Sequence, residues 1–411
     1  MRLKLLKPIN LSLIKRVTVL GEGKTANAVN NKLKELNLFE LTTDTQNTDL
    51  VIISPGLNPK QHTEGITVPL ISEIEFAYLL FQYYKNPPKL ITITGTNGKT
   101  TTTDLISQLL DIPSAGNIGV PLIEFVSSDP KKVPKMISLE VSSYQLETSP
   151  TFKPDIYILM NITEDHLERH GTMEEYSRMK LKVLPIMTKD DSFIYNSKDQ
   201  ITVDFLAKNN IKANIIDLQY MKSLEKFLKE SPLLGEHNRE NLSAAINASL
   251  LISKNSVTVE KINNIKAYPH RLEKVRTLNG VEFINDSKAT NPDSTIAALN
   301  SIPGEKMILL LGGDKKSVSY DIMFNLIEKN NVRSIAFGGA REFFYEGLKN
   351  TNLLLGKTYN LEEAIMLAYK KANPGDIVVL SPACASFDMY KNFEERGNEF
   401  KQIVSTISNN Q

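Results

Sequence analysis

Cysteine is nearly absent from this 411-residue chain, and neither sign of charge dominates. The single thiol, Cys384, excludes an intrachain disulfide and fits a reducing compartment. With 48 Lys and Arg against 47 Asp and Glu, the net charge is +1. No long basic run occurs either, which argues against nucleic acid as a partner. No apolar run approaches the roughly 18 residues that cross a bilayer, which argues against membrane insertion. Lys7, Pro8 and Asn10 interrupt any apolar core of a signal peptide at the basic start. Internal repeats and low-complexity segments are missing, and triplets such as Asn161-Ile-Thr163 read as chance glycosylation matches. What remains is a cytoplasmic enzyme of ordinary composition, 41% hydrophobic and 23% charged. Its length suits two or three domains, each with its own core.

The densest signal is the run Leu90-Ile-Thr-Ile-Thr-Gly95-Thr96-Asn97-Gly98-Lys99-Thr100-Thr101-Thr102. β-prone residues run into a tight glycine turn, a Lys-Thr pair follows, and segment 104–110 suits a helix. This is the layout of a phosphate-binding loop. Backbone N–H groups point inward, the helix N-terminus adds partial positive charge, Lys99 adds a full one, and the Thr100 hydroxyl can ligand Mg²⁺. Ile93 stands where the usual G-x-x-x-x-G-K-[ST] spacing has its first glycine, so the compact G-T-N-G-K-T-T form carries the reading. The bland alternative is a glycine turn that binds nothing.

Composition divides the chain into blocks 1–86, 87–268 and 269–411, with Asn86-Pro87-Pro88 and Ala267-Tyr-Pro-His270 as junctions. The first block holds a strand at 16–20, the loop Gly21-Glu-Gly23-Lys24-Thr25-Ala26, a helix to about Leu36, and a second strand at 49–53 ending on Ser54-Pro55-Gly56. G-x-G-x-x-A alone is weak, and the diphosphate of a nucleotide other than NAD is at least as good a ligand. The third block has strands at 281–285, 307–311, 334–337 and 377–380, with helical stretches such as 361–372. Strands alternating with helices predict an α/β chain with mostly parallel sheets and ligands at the strands' carboxyl ends.

Polar clusters follow several strands. Glu140 and Ser142 lie in Ser138-Leu-Glu140-Val-Ser-Ser-Tyr144-Gln-Leu-Glu147, and Asp165, His166 and His170 in the run 161–170. Beside a phosphate loop these carboxylates and imidazoles become candidate Mg²⁺ ligands. Lys180, in Arg178-Met-Lys180-Leu-Lys182, reads by composition as a surface residue. Three segments of the last block, around Asp286, Gly313 and Ser381, sit at or just after strand ends and would line one crevice. Cys384 reads as a small buried residue, since no Cys-His signature accompanies it.

These motifs together resemble the Mur ligase family over nearly the full length. They are GTNGKTTT, GNIGVPL (116–122), LEVSSYQLE, NITEDHLERH, GEHNRENLSAA (235–245), PHR, NDSKATN, LLLGGDKK and LSPACASFDMYKNFEERGNEF. The resemblance implies an N-terminal Rossmann-like UDP-binding domain, a central ATPase and a C-terminal Rossmann-like domain that closes the site. It implies ligation of D-glutamate to UDP-N-acetylmuramoyl-L-alanine through an acyl phosphate, with ATP cleaved to ADP and phosphate, in a monomer. Gly95, Thr96, Asn97, Gly98, Lys99, Thr100, Thr101, Asn241, Arg271 and Asp286 would then serve ATP. Thr100, Glu140 and His166 would hold two Mg²⁺ ions, for which Mn²⁺ can substitute. Lys180 would be carbamylated by CO₂ and help hold the metals, which inverts its surface reading. Lys99, His166 and Lys180 would carry the catalysis. Gly21, Gly23, Lys24, Thr25, Gly56, Asn117, Ser142, His166 and Lys288 would face the UDP substrate, and Thr290, Lys316, Ser386 and the backbone near Phe393 would face D-glutamate. Lys315 stands where a small residue is usual, and the segment 41–48 is shorter than the family pattern. A sister ligase adding another amino acid, a folylpolyglutamate synthase, or a non-ligating P-loop switch are the competing readings.

Overall fold

The computed structural model describes residues 9–62, 64–218, 224–233 and 235–408, and Lys7 and Pro8 lie outside them. Three sheets organise the described residues, in the α/β class expected. The first contains β1 (Arg16–Leu20), β2 (Glu40–Leu41), β3 (Leu50–Ile53) and β4 (Leu70–Ser72), all parallel in the order β2-β1-β3-β4. Here the sequence reading is corrected: the strand near 49–53 is the third, because β2 is only two residues long and shows no alternation.

The second sheet contains β5 (Lys89–Thr94), β6 (Ser114–Gly116), β7 (Met136–Glu140), β8 (Ile156–Leu159), β9 (Ser192–Tyr195) and β10 (Asn214–Asp217). Their parallel order is β10-β9-β8-β5-β7-β6. After β5 the chain builds β6 and β7 on one side and then crosses to β8 on the other. The carboxyl end of β5 is therefore a topological switch point, where flanking loops diverge and leave a crevice. Leu90, Ile91 and Ile93 of β5 are at most 2% exposed. Each such side chain contributes about 1.5–3 kcal/mol by leaving water. One apolar core joins Val17, Leu50 and Ile71 of the first sheet to Leu90, Ile137 and Phe193 of the second.

The third sheet contains β11 (Glu273–Leu278), β12 (Val281–Asn285), β13 (Met307–Gly312), β14 (Arg333–Phe337), β15 (Leu354–Lys357) and β16 (Ile377–Ala383), in the order β11-β12-β16-β13-β14-β15. Only β11 runs antiparallel, joined to β12 through Asn279 and Gly280, whose φ values of 50° and 80° suit a two-residue hairpin turn. Its two faces carry separate apolar cores. Strand β16 runs on through Ser381 to Ala383, so Ser381 lies within the sheet and not after it, as a correction to the expected end at Leu380. The chain forms two compact units, Met1–Ser231 with Glu240–Asn264, and Pro232–Arg239 with Ile265–Gln411. None of the described helices is long and apolar enough to cross a membrane.

Candidate active site

The glycine loop sits at the switch point of the second sheet, between the end of β5 and helix Lys99–Leu110. Gly98 caps this helix at φ 85° without any side-chain cap bond. The first-turn amides thus open onto the loop, an arrangement suited to an anion. A Cβ on Gly98 would overlap Asn241 Oδ1, so only glycine lets helix Glu236–Ile252 press Asn241 against the loop. The residues after β8 hold the loop's shape. Thr96 N donates to Asn161 O at 2.9 Å, Asn97 N to Asn161 Oδ1 at 2.8 Å, and Thr163 N to Thr96 Oγ1 at 2.9 Å. Lys99 Nζ donates to Gly95 O and Thr96 O, both at 2.8 Å. Asn161 was missed as a site residue in the sequence. Its signal was its place immediately beyond a strand that flanks the phosphate-loop strand.

Glu140 ends β7 beside the loop and is 1% exposed. Its Oε1 accepts from Asn117 Nδ2 at 2.8 Å, while its buried Oε2 has no hydrogen-bond partner among the described residues. An ionisable oxygen buried without a partner is costly unless a cation or donor joins it. Thr100 is buried, and His166 lies in the left-handed region at φ 55°. His166 Nδ1 meets Tyr144 Oη at 3.0 Å, and Asp165 and Glu168 stand 3.4 and 3.6 Å from the ring nitrogens. Burial lowers the His166 pKa against the pull of those two carboxylates, with Lys99 and Lys180 adding to the drop. The imidazole is thereby kept in the neutral form that can ligand a metal.

Lys180 is 1% exposed, which overturns the surface reading from composition. Helix Met173–Leu181 turns it inward, where Nζ donates to Gly95 O at 3.0 Å and lies 4.6 Å from the Tyr176 ring centroid. Burial, then the nearby Lys99 charge, pushes its pKa well below the usual lysine range, with Asp165 and Glu140 opposing. Tyr176, unnoticed in the sequence, also meets Thr96 Oγ1 at 3.1 Å. Lys99, Glu140, Asp165, His166 and Lys180 therefore share one electrostatic neighbourhood around the loop.

On the first-sheet side, Gly21, Gly23, Lys24 and Thr25 follow β1, and Gly56 follows β3. Lys24 Nζ donates to Gly119 O, which brings the Gly21–Lys24 turn against segment 116–122. Asn117 N also donates to Glu140 O at 2.9 Å. Ser142 caps helix Ser143–Glu147 in a reciprocal capping box with Gln145. Its hydroxyl therefore has a structural task whatever else it touches.

The second unit holds the remaining candidates. Asp286 follows β12 and is buried, accepting from Ser381 Oγ at 2.7 Å and Leu272 N at 3.2 Å. Lys288 Nζ lies 5.1 Å from the Tyr268 ring centroid and 5.2 Å from that of Phe393, and Phe393 O accepts from Ser287 Oγ at 2.8 Å. Ser386 is buried, Thr290 N donates to Lys288 O, and Lys316 N donates to Tyr320 Oη at 3.3 Å. Fully buried Arg396 binds the carbonyls of Ser287, Cys384 and Ala385, so one guanidinium ties the loops after β12 and β16 together. Sequence reading overlooked it inside a charged helical stretch. Lys315 also finds its account, lying 4.4 Å from the Phe343 ring centroid. Cys384 is buried and its thiol is pushed up to about 11 by burial, which agrees with a packing role.

Burial raises the Asp286 carboxyl to about 7 from an ordinary 3.8, against the hydroxyl of Ser381 and the charge of Arg271. The folded chain thus keeps this proton up to about 7, whereas the unfolded chain releases it near 3.8. Asp286 consequently costs stability progressively as pH rises through that window, and the penalty is constant above it. We expect the melting temperature of Asp286→Asn, relative to the parent chain, to rise from pH 4 to pH 7 and then level off. A difference that does not move with pH would overturn this assignment.

Residues 93–219 match the Mur ligase middle domain, and residues 270–384 match the Mur ligase, glutamate ligase domain. The UDP-N-acetylmuramoylalanine–D-glutamate ligase of Natranaerobius thermophilus is 36% identical, over 87% of this chain and 84% of that protein. The enzyme of the same name from Caldicellulosiruptor saccharolyticus is 35% identical, over 87% of this chain and 84% of its own length. Among solved structures, the MurF ligase of Thermotoga maritima in complex with ADP superposes with a TM-score of 0.64 at 16% identity, covering 96% of this chain and 97% of that one. That likeness speaks to fold alone. The phosphate loop at its switch point, both domain matches and relatives above one-third identity agree: the chain belongs to the Mur ligase family.

Proposed function

We propose that this chain is the ATP-dependent ligase that adds D-glutamate to UDP-N-acetylmuramoyl-L-alanine in cytoplasmic peptidoglycan precursor synthesis. The observation that carries the ligase chemistry is the buried Glu140, with a partnerless oxygen, beside a cationic phosphate loop. The choice of D-glutamate rests on the names of the relatives and on the terminal run 380–400. In this reading the domains are 1–86 for the UDP substrate, 87–268 for ATP and 269–411 for D-glutamate, working as a monomer.

A carboxylate is a poor acyl donor because its leaving group would be oxide. Transfer of the γ-phosphoryl to a carboxylate oxygen of the alanyl group, with ADP leaving, supplies a better one. The D-glutamate amine then attacks the acyl carbon, loses a proton, and phosphate departs. Lys99 and the amides after Gly98 hold the phosphates and stabilise charge developing on them. The donor set fits Mg²⁺: Thr100, Glu140 and His166 would hold it, and it would neutralise charge on the phosphate oxygens. A further anionic donor beside Glu140 would strengthen the hold on a divalent cation. Lys180 suits that need, because a buried neutral amine is the form that reacts with CO₂ to give a carbamate. Asn117 and Lys24 orient the UDP substrate, and Lys288, Thr290, Lys316 and Ser386 supply the cation and donors that a dicarboxylate requires.

The test is phosphate release from ATP with Mg²⁺, UDP-N-acetylmuramoyl-L-alanine and one amino acid at a time. Release with D-glutamate alone is expected. Release with L-lysine or diaminopimelate instead would assign a sister ligase, and release with none would assign a P-loop protein that does not ligate.

A further inference from the structure

Two buried carboxylates stand outside the machinery described so far. Glu73 and Glu75 occupy the first turn of helix Glu73–Phe81, which follows β4 of the first sheet, and are 2% and 0% exposed. Carboxylates are almost never so buried unless something specific holds them. Their partners are backbone amides of segments belonging to the second sheet. Glu73 Oε1 accepts from Ile123 N at 2.6 Å, and Leu122 N also bonds this carboxylate. Glu75 accepts from Thr151 N at 3.0 and 3.2 Å and from the Thr151 hydroxyl.

The two grips differ in what they control. Glu75 grips the chain beyond helix Ser143–Glu147, where Ser72 and Ser149 also meet at 2.6 Å. Glu73 grips the start of the short helix Leu122–Phe125, whose own N-cap residue, Pro121, offers no side-chain bond. Among the described residues the orphan amide of Ile123 finds its acceptor in Glu73, 50 positions earlier in the chain. Immediately before this helix comes segment 116–122. It is pinned at its other end by β6 and packs so closely that a Cβ on Gly116 would overlap Glu140 O. Between the two pins, Asn117 binds Glu140 Oε1 and Gly119 O receives Lys24.

We propose that Glu73 is a positioning residue that sets the 116–122 segment, and through it the Asn117 contact to Glu140 and the Gly119 contact to Lys24. Its carboxylate supplies the missing cap, a polar fix added to the burial of Leu122 and Ile123 in the apolar core. This inference rests on the reading that Asn117 and Lys24 face the UDP substrate. Burial is the main cause that raises the Glu73 carboxyl to about 7, with the two amide bonds opposing. A glutamine at this position keeps an acceptor oxygen for Ile123 N, whereas alanine keeps none.

The test uses the full chain and two readouts. Hydrogen exchange over segment 116–125 reports the cap directly, without substrate turnover. In Glu73→Ala we expect exchange at Leu122 and Ile123 to accelerate about tenfold or more, the scale of one lost buried hydrogen bond. Steady-state kinetics should show KM for UDP-N-acetylmuramoyl-L-alanine rising by a similar factor while KM for D-glutamate stays put. Glu73→Gln should restore most of both. Wild-type exchange in Glu73→Ala overturns the proposal, as does faster exchange with every KM unchanged. If the alanine variant does not fold, Glu73→Asp, one methylene shorter, withdraws the acceptor and is judged by the same two readouts. A parent chain that fails to ligate D-glutamate defeats the functional reading, while the exchange result still decides whether Glu73 caps the segment.

Discussion

Lys99→Ala should lower kcat/KM by about a hundredfold or more, equivalent to about 3 kcal/mol of transition-state stabilisation. Phosphoryl transfer gathers negative charge on the transferred group and on the departing ADP, and a loop of neutral amides cannot balance that charge alone. Lys99 begins the helix at the switch point, and its ammonium spans the loop to Gly95 O and Thr96 O. Alanine removes the full charge while leaving the helix N-terminus and the glycines in place, so the loss should fall on turnover more than on folding. Initial rates of phosphate release, with circular dichroism as a control for folding, measure the effect. Near-normal turnover would overturn the assignment of this loop to the triphosphate.

Lys180→Ala should lose a few hundredfold or more in kcat, about 3–4 kcal/mol, and short carboxylates such as acetate should recover part of it. The argument begins with solvation. An ammonium at 1% exposure, near a second ammonium on Lys99, is an unfavourable guest beside the site proposed for magnesium and triphosphate. The neutral amine is favoured there instead, and its carbamate would convert a cation into an anionic donor next to Glu140. Deleting the side chain leaves space lined by Tyr176 and the Gly95 carbonyl, into which a small carboxylate can diffuse. Formate, acetate and propionate titrated into the variant provide the measurement, with the melting temperature recorded alongside. A variant as active as its parent would show that Lys180 has no part in the chemistry. A dead variant that no carboxylate revives would leave the lysine essential but remove the carbamate role.

Much of the candidate site was legible in the sequence because its local signals are strong. The phosphate loop announces itself through two glycines, a lysine and a flanking strand and helix, all within a dozen residues. Strands β1, β12 and β13 were found within a residue of their ends, since β13 opens on five consecutive apolar residues while β1 and β12 are rich in β-branched and aromatic ones. Short elements escaped: β2 has two residues and β6 three, too few for any periodicity to show. Lys180 shows the limit most clearly. Arg178 and Lys182 flank it two positions away on either side, so composition placed it with them in solvent, whereas the helix carrying it turns Lys180 toward Gly95.

By itself the sequence determined the local elements, the anion-binding loop and the order of polar clusters at strand ends, because each depends on residues a few positions apart. The tertiary structure alone decided which clusters meet. The order β8-β5-β7 brings Asn161 and Glu140 to either side of the loop, and a long helix delivers Asn241 onto Gly98. Glu73 reaches Ile123, and Arg396 reaches Ser287, across more than forty intervening residues. Such pairings follow from how strands are ordered within sheets and which faces are buried together, and no window of neighbouring residues contains that information.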